Sequence, residues 1–136
     1  MSEAGEDLKN RLDEITDKII GAAIRVHQEI GPGVLESACE SCLVFELTES
    51  GLAVERQKPV PLIYRGQRLE VGYRVDVIVE SLVVVEVKSI ERLERVHTAQ
   101  LLSYLRLLNL RVGLLINFNV AILKAGIRRV VNNYPD

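Results

Sequence analysis

Residues 73–88 read YRVDVIVESLVVVEVK, two runs rich in β-branched residues on either side of Glu80-Ser81. Such residues favour extended structure, so this stretch predicts two strands joined by a turn. Asp76, Glu86 and Lys88 interrupt the apolar runs, although burying an unpaired charge costs on the order of several kcal/mol. Because side chains alternate along a strand, Glu86 and Lys88 share one face, about 6.6 Å apart along the backbone. The stretch therefore predicts a carboxylate and an ammonium that converge on a common ligand.

These three charged residues allow two interpretations. In the first, Asp76, Glu86 and Lys88 form a buried or edge salt-bridge network without a catalytic role. In the second, Asp76 and Glu86 bind Mg²⁺ or Mn²⁺ through hard oxygen ligands, while Lys88 orients or activates an attacking water. The residue types alone do not choose between the two.

The length of the turn decides whether the two carboxylates share a face. If residues 75–79 and 82–86 pair as a hairpin with a two-residue loop, Asp76 lies directly opposite Val85. Directly paired residues point to the same face, so this register places Asp76 and Glu86 on opposite faces of the sheet. A shared metal site therefore requires an odd-length loop, a bulge or a strand bend near Asp76.

The rest of the chain surrounds this hairpin with helices and further strands. Apolar residues recur every three or four positions from Asp7 to Ile30, which predicts an amphipathic helix that ends at Gly31-Pro32-Gly33. A second helix is predicted from residue 34 or 35 to Ser50-Gly51, with an apolar stripe that comprises Leu35, Ala38, Cys42 and Phe45. Strands are predicted near residues 53–57, 60–65, 68–79 and 82–88, a helix at 96–108, a buried strand at 112–116, and a final strand or hairpin at 122–131.

Length and composition indicate one compact domain over residues 1–136. Hydrophobic residues make up 48% of the chain and charged residues 26%, which excludes a disordered segment or a disulfide-stapled mini-protein. Cys39 and Cys42 are interpreted as small buried hydrophobes. No apolar run approaches the roughly 20 residues of a membrane span, and the acidic start MSEAGEDLKN is unlike a signal peptide. We expect a cytoplasmic protein without a membrane partner.

Charge is unevenly distributed along the chain. Residues 1–50 contain four basic and eleven acidic side chains, whereas residues 51–136 contain thirteen basic and eight acidic ones. Such charges commonly only solvate exposed faces, but a basic later half also suits weak, salt-sensitive binding of phosphates. The candidate phosphate contacts are Arg92, Arg95, Arg106, Arg128 and Arg129.

Three spaced motifs resemble a known family. The pattern Asp76-x9-Glu86-x-Lys88 resembles the PD-(D/E)xK nuclease superfamily. Upstream, the segment IGPGVLESAC at residues 30–39 resembles the signature of the small bacterial GxxExxY proteins of that superfamily. Downstream, Gln100 and Tyr104 resemble the QxxxY helix motif of RecB-like nucleases. The resemblance extends from about residue 19 to residue 132.

The resemblance implies a restriction-endonuclease-like α/β fold, a mixed β-sheet flanked by helices with an N-terminal helical pair. It implies metal ligation of Mg²⁺ or Mn²⁺ by Asp76 and Glu86 with Glu36 nearby, and a catalytic role for Lys88. Gln100 and Tyr104, which share one helical face, would contact Lys88, the metal-bound water or a phosphate of DNA or RNA. One departure is plain, because Cys39 stands where the family has its tyrosine.

The sequence also allows an alternative to nuclease activity. A non-catalytic nucleic-acid-binding or assembly module retains the same core motif, because a fold does not fix a function. A homo-oligomer is also compatible with this sequence. His27 and His97 are interpreted as hydrogen-bonded structural residues, with phosphate contact as the other possibility.

Overall fold

A computed structural model describes residues 2–135 and consists of three helices and five strands. The helices are α1 (Glu3–Ile30), α2 (Glu36–Glu49) and α3 (Arg95–Leu108). The strands are β1 (Val54–Tyr64), β2 (Gln67–Val79), β3 (Val83–Lys88), β4 (Val112–Asn117) and β5 (Ile127–Val131), and a 3-10 turn at Leu123–Gly126 precedes β5. The α1–α2 pair is the N-terminal helical pair expected from the sequence.

The strands form one mixed sheet in the order β1-β2-β3-β4-β5. Neighbouring strands are antiparallel except β3 and β4, which are parallel because α3 connects them as a crossover. This arrangement confirms the predicted α/β class with a mixed sheet flanked by helices.

Helices cover both faces of the sheet. On one face, α1 and α2 bury Leu12, Ile19 and Leu43 against inward-facing valines that include Val77 and Val85. On the other face, α3 packs on a second cluster that comprises Val60, Val75, Ile78, Val84, Leu101, Tyr104, Leu105, Leu115 and Val130. Val85 and Val87 of β3 face α1 and α2, so Glu86 and Lys88, which alternate with them, lie on the α3 face of the sheet.

Capping residues explain where the helices begin and end. The Ser2 hydroxyl accepts from the Gly5 N–H at 3.0 Å at the start of α1, and Gly31, with φ 67°, ends that helix. At the start of α3, Glu94 and His97 form a reciprocal capping box. Within residues 2–135, no helix has both the length and the apolar character needed to cross a bilayer.

Three sequence predictions differ from the structure. The two strands predicted at 53–57 and 60–65 correspond to the single strand β1 (Val54–Tyr64), in which the register shifts between Val60 and Leu62. The segment 122–131 is a 3-10 turn followed by one strand. The predicted apolar stripe of α2 is wrong at Leu35 and Phe45, which are 76% and 62% exposed, whereas Cys42 packs against the core. The helix instead buries Cys39, Glu40, Leu43 and Leu47.

Candidate active site

The hairpin between β2 and β3 has a three-residue loop, residues 80–82. Val79 pairs with Val83 and Val77 pairs with Val85, so the register differs by one residue from that of a two-residue loop. Glu80 and Ser81 both have positive φ, at 54° and 55°. Neither is glycine or asparagine, the residues that usually occupy such positions.

Contacts of Glu80 explain how a residue with a side chain holds this loop conformation. Its Oε2 accepts the Ala53 N–H at 2.6 Å, and its Oε1 accepts from Arg11 at 3.1 Å. The hydrogen bond from Ala53 and the charge of Arg11 lower the pKa of Glu80. These contacts hold Glu80 in a left-handed conformation that is unfavourable for a residue with a Cβ atom.

The odd loop length brings the two carboxylates to one face. Ile78 and Val84 pair directly and both pack under α3. Glu86 is the next position on that face of β3, and the Asp76 carboxyl lies within hydrogen-bonding reach of Glu86, although the alternation of β2 breaks at Asp76. The geometric condition for a shared site is therefore fulfilled, and Lys88 follows on the same face of β3.

β2 changes phase at Asp76. Val75 packs under α3, whereas Val77, two residues later, packs under α1 and α2, so regular alternation is broken between them. The backbone pairing of β2 with β3 ends at Val77, and beyond it the Val87 N–H donates to Asp76 Oδ2 at 2.8 Å. The Asp76 side chain thus joins β2 to β3 where their backbone ladder stops.

A polar chain leads from α2 to the other oxygen of Asp76. Gln57 of β1 donates through Nε2 to Glu40 Oε1 at 2.9 Å and lies 3.4 Å from Asp76 Oδ1. Arg56 donates two hydrogen bonds to Glu40 Oε2, at 2.8 and 3.2 Å, which satisfies this buried carboxylate. Gln57 has φ 50° inside a strand, and its neighbours' pairing places it opposite Asp76.

Glu86 is buried without the partners that a buried carboxylate needs. Its side chain is 6% exposed, and its Oε1 has no hydrogen-bond partner in residues 2–135. Burial, then the hydrogen bond with Asp76 and the charge of that residue, raise the pKa of Glu86 to about 9, although Lys88 opposes this shift. A hard cation would supply both the missing partner and the positive charge, so the donor set fits Mg²⁺ or Mn²⁺.

Lys88 makes no ion pair with either carboxylate in the described part of the chain. The ion pairs within 4.0 Å there involve other residues. The predicted alternative of a salt-bridge network among Asp76, Glu86 and Lys88 is therefore wrong. The ammonium of Lys88 stays available to a ligand on the face that it shares with Glu86.

Tyr104 of α3 lies near the two carboxylates, and Gln100 lies one turn before it on the same helix. Burial, then the charge of Glu86, raise the pKa of Tyr104, and its ring meets that of Tyr73 edge-on with centroids 5.8 Å apart. Gln100, Tyr104 and Tyr73 line an open groove of about 440 Å³ between α3 and the outer part of β1 and β2. Among the residues that line this groove, Tyr104 is close enough to Glu86 and Asp76 for their charges to raise its pKa.

Glu36 does not join the carboxylate pair. Its Oε1 accepts the Ser89 N–H at 3.3 Å, just after Lys88 at the end of β3. Among residues 2–135 no group of three or more His, Cys, Asp or Glu side chains is arranged to hold a metal ion. The expected three-carboxylate cluster is thus reduced to Asp76 and Glu86, with Glu36 at the rim. The first turn of α2 fixes Glu36 there because it follows the Gly31-Pro32-Gly33 turn.

Both histidines have structural contacts. The buried His27 contacts the Val120 carbonyl through Nε2 at 2.7 Å, and His97 Nδ1 accepts the Glu94 N–H at 2.8 Å. Cys39 is buried and Cys42 is half-buried, and both are free thiols. These contacts match the structural interpretation of the histidines and of Cys39.

The five candidate phosphate-binding arginines do not form one surface. Arg128 and Arg129 are consecutive in β5, so their side chains point to opposite faces. Arg129 forms an ion pair with Asp13, with Nη2 3.3 Å from Oδ1, and its guanidinium carbon lies 4.4 Å from the centroid of the Tyr134 ring. Arg106 lines the groove beside Gln100 and Tyr104.

Comparison with known protein families identifies the class to which this chain belongs. A family model of the PD-(D/E)XK nuclease superfamily matches residues 13–130. This match covers most of the chain and includes both strands of the site, so the chain belongs to the PD-(D/E)XK nuclease superfamily. No curated protein and no solved structure matches the chain.

Three site residues were missed by sequence reasoning. Glu40 and Gln57 form the polar chain to Asp76, and Asn117 fixes the segment after Lys88 by hydrogen bonds to the backbone N–H and carbonyl of Ile90, at 3.1 and 3.0 Å. Asn117 is 1% exposed and ends an otherwise apolar strand, so a polar residue at that position was the available signal.

Substitutions of Gln57 should separate its backbone strain from its side-chain contacts. Gln57→Gly and Gln57→Ala both remove the amide, but only glycine adopts positive φ without cost. We expect the glycine variant to be more stable than the alanine variant by about 1 kcal/mol in urea unfolding. Equal stability of the two variants would contradict a left-handed backbone at residue 57.

Proposed function

We propose that this protein hydrolyses phosphodiester bonds of nucleic acid with the help of Mg²⁺ or Mn²⁺. The observation that carries the proposal is the buried Glu86 carboxyl, which lies on one face with Asp76 and Lys88 and lacks a partner for Oε1. Burial of a carboxyl group whose Oε1 lacks a hydrogen-bond partner is unfavourable in a purely structural role. A functional site accounts for it, and membership of a nuclease superfamily favours this chemistry.

The residues of the site divide into three roles in this proposal. Asp76 and Glu86 would hold the cation, which when bound lowers the pKa of a coordinated water and neutralises charge on the phosphoryl oxygens. The Lys88 ammonium places positive charge beside the attacking oxygen. Gln100 and Tyr104 on α3 donate hydrogen bonds to the phosphate in the groove, and Glu36 assists from the rim.

The finer family assignment belongs to the same proposal. The segment IGPGVLESAC and the Gln100–Tyr104 spacing support a GxxExxY protein with a QxxxY helix motif. Cys39, at the position of the signature tyrosine, is fully buried, so its side chain acts here in packing.

The test is hydrolysis by the purified chain of a panel of substrates. Single- and double-stranded DNA and RNA are incubated with Mn²⁺, Mg²⁺ or EDTA, and products are resolved on denaturing gels. Cleavage is expected with Mn²⁺ or Mg²⁺ and not with EDTA, because the carboxylate pair needs a cation. The Glu86→Gln variant should show no cleavage under the same conditions. Binding without cleavage of any substrate, with or without metal, would favour the non-catalytic module instead.

A further inference from the structure

The outer parts of β1 and β2 form a two-stranded ribbon, here called the β-arm, at residues 58–75. β2 pairs with β3 only through Val77, Ile78 and Val79, so the β-arm extends beyond the sheet. Val60 and Val75 at its base are buried under α3. Every residue from 63 to 74 is exposed. The β-arm is thus a ribbon with a packed base and a free end.

The β-arm is basic although the chain as a whole is acidic. It contains Lys58, Arg65, Arg68 and Arg74 against the single acidic Glu70, a net charge of +3, whereas the chain carries −2. Arg68 pairs with Glu70 at 2.9 Å, but both side chains are about two-thirds exposed, and such a pair opens at little cost. The charge of the β-arm therefore suits a polyanion.

Large exposed side chains accompany this charge. Five apolar or aromatic residues of the β-arm are between 40% and 58% exposed, namely Ile63, Tyr64, Leu69, Val71 and Tyr73. Because Ile63 and Tyr64 are consecutive in β1, they point to opposite faces, so both faces of the ribbon expose apolar side chains. Tyr64 and Arg65 at the turn offer a hydroxyl and a guanidinium that can contact phosphates, and the guanidinium can also bind guanine edges in the major groove.

We propose that the β-arm binds double-stranded DNA in its major groove and presents the backbone to the carboxylate pair. A two-stranded ribbon, with strands about 4.8 Å apart, fits the roughly 12 Å wide major groove of B-DNA. The deep, narrow major groove of A-form RNA does not admit side chains in this way. The inference rests on the proposed function and adds the substrate class and the contact surface.

The position of the β-arm relative to the site supports this assignment. Asp76 directly follows the last residue of the β-arm, and Tyr73 at its base touches Tyr104. From Val75 to the turn, the ribbon extends about 25–30 Å, close to one helical turn of DNA. A duplex held along the ribbon therefore passes beside Asp76 and Glu86.

The experiment compares two double variants that each remove two positive charges. Arg65→Ala with Arg68→Ala changes the β-arm, and Lys18→Ala with Lys124→Ala changes exposed lysines elsewhere. Binding to a labelled 20-base-pair DNA duplex, to its single strand and to an RNA duplex is measured by fluorescence anisotropy in EDTA at several salt concentrations.

We expect the β-arm variant to bind duplex DNA at least 10-fold more weakly than the native chain, with a change below about twofold in the lysine variant. The slope of log affinity against log salt should fall by about 1.8, as for two lost phosphate contacts. Equal losses in both variants, unchanged binding by the β-arm variant, or tighter binding of single strands or RNA duplex by the native chain would overturn the assignment. A dimer that dissociates only in the β-arm variant while its DNA affinity is unchanged would assign the β-arm to self-association.

Cleavage assays separate failure of this inference from failure of the proposed function. Metal-dependent cleavage of duplex DNA that is equal in the native chain and the β-arm variant would leave hydrolysis standing and reject the β-arm. Selective loss of duplex binding in the β-arm variant, with no cleavage by the native chain, would support the β-arm and reject hydrolysis.

Discussion

Replacing Lys88 by alanine is expected to lower metal-dependent cleavage by about 100- to 1,000-fold, the usual effect of removing one charge-stabilising donor from a phosphoryl or acyl transfer site. Lys88 lies on the face of β3 that carries Glu86, and no carboxylate neutralises its ammonium within 4.0 Å in the described residues. Its positive charge is therefore available to the reacting phosphate. Initial cleavage rates with saturating Mn²⁺ give the measurement.

The matched control for this prediction is Lys124→Ala, which removes an exposed lysine of the 3-10 turn. It should cleave at the native rate. Urea unfolding of both variants tests whether the fold is intact. We expect little loss of stability in Lys88→Ala, because Lys88 is half-buried and forms no ion pair within residues 2–135. Cleavage by a folded Lys88→Ala variant within about fivefold of the native rate would remove Lys88 from the mechanism.

The stability of the metal-free protein should fall as pH rises. The pKa of Glu86 is about 9 in the folded chain against its ordinary value of 4.5. Between these values the folded state holds a proton that the unfolded state has lost, so unfolding becomes easier with increasing pH. The contribution is fully present below about pH 4.5 and is lost towards pH 9, at up to about 1.4 kcal/mol per pH unit.

Glu86→Gln is expected to remove this dependence, because the amide imitates the protonated carboxyl. In EDTA at pH 7, the variant should be more stable than the native chain by on the order of 2–3 kcal/mol, while losing cleavage. Urea unfolding between pH 5 and 9 provides the measurement. A native chain with the same pH profile as the variant would show that Glu86 titrates normally.

Two controls sharpen this result. Glu40→Gln makes the same chemical change at another buried glutamate, but it takes the carboxylate away from Arg56 and should destabilise by about 1–3 kcal/mol. Mn²⁺ at 100 times its dissociation constant should stabilise the native chain by about 2.7 kcal/mol and leave Glu86→Gln unchanged. Stabilisation of both proteins by Mn²⁺ would locate the cation elsewhere.

The sequence alone predicted the α/β architecture and two residue pairs of the candidate site. Alternation along β3 placed Glu86 and Lys88 on one face, and helical spacing placed Gln100 and Tyr104 together, since both deductions use only local periodicity. The relation of Asp76 to Glu86 required the loop length. Glu80 and Ser81 are not residue types that usually adopt positive φ. The sequence therefore did not show that the loop has three residues and not two.

The polar chain to Asp76 was beyond sequence reasoning for a different reason. Glu40 is a charged residue on the buried face of α2. Phe45 is apolar but exposed, so the sequence pattern indicated the wrong face of the helix as the buried one. Gln57 holds a left-handed backbone inside a strand, where no periodicity indicates it. These contacts join residues that are distant in sequence. Arg56 and Glu40 are 16 residues apart, and Gln57 and Asp76 are 19 residues apart.

The length of the loop at residues 80–82 is constrained, because it sets the register of β2 against β3 and so the position of Glu86. Surface turns usually tolerate deletions, because they contribute little to the core. Here the removal of one residue from positions 80–82 would rotate Glu86 away from Asp76 relative to the sheet, without altering any residue of the site. Relatives of this chain that keep every motif but differ by one residue in this turn would retain the composition of a nuclease and lose its geometry.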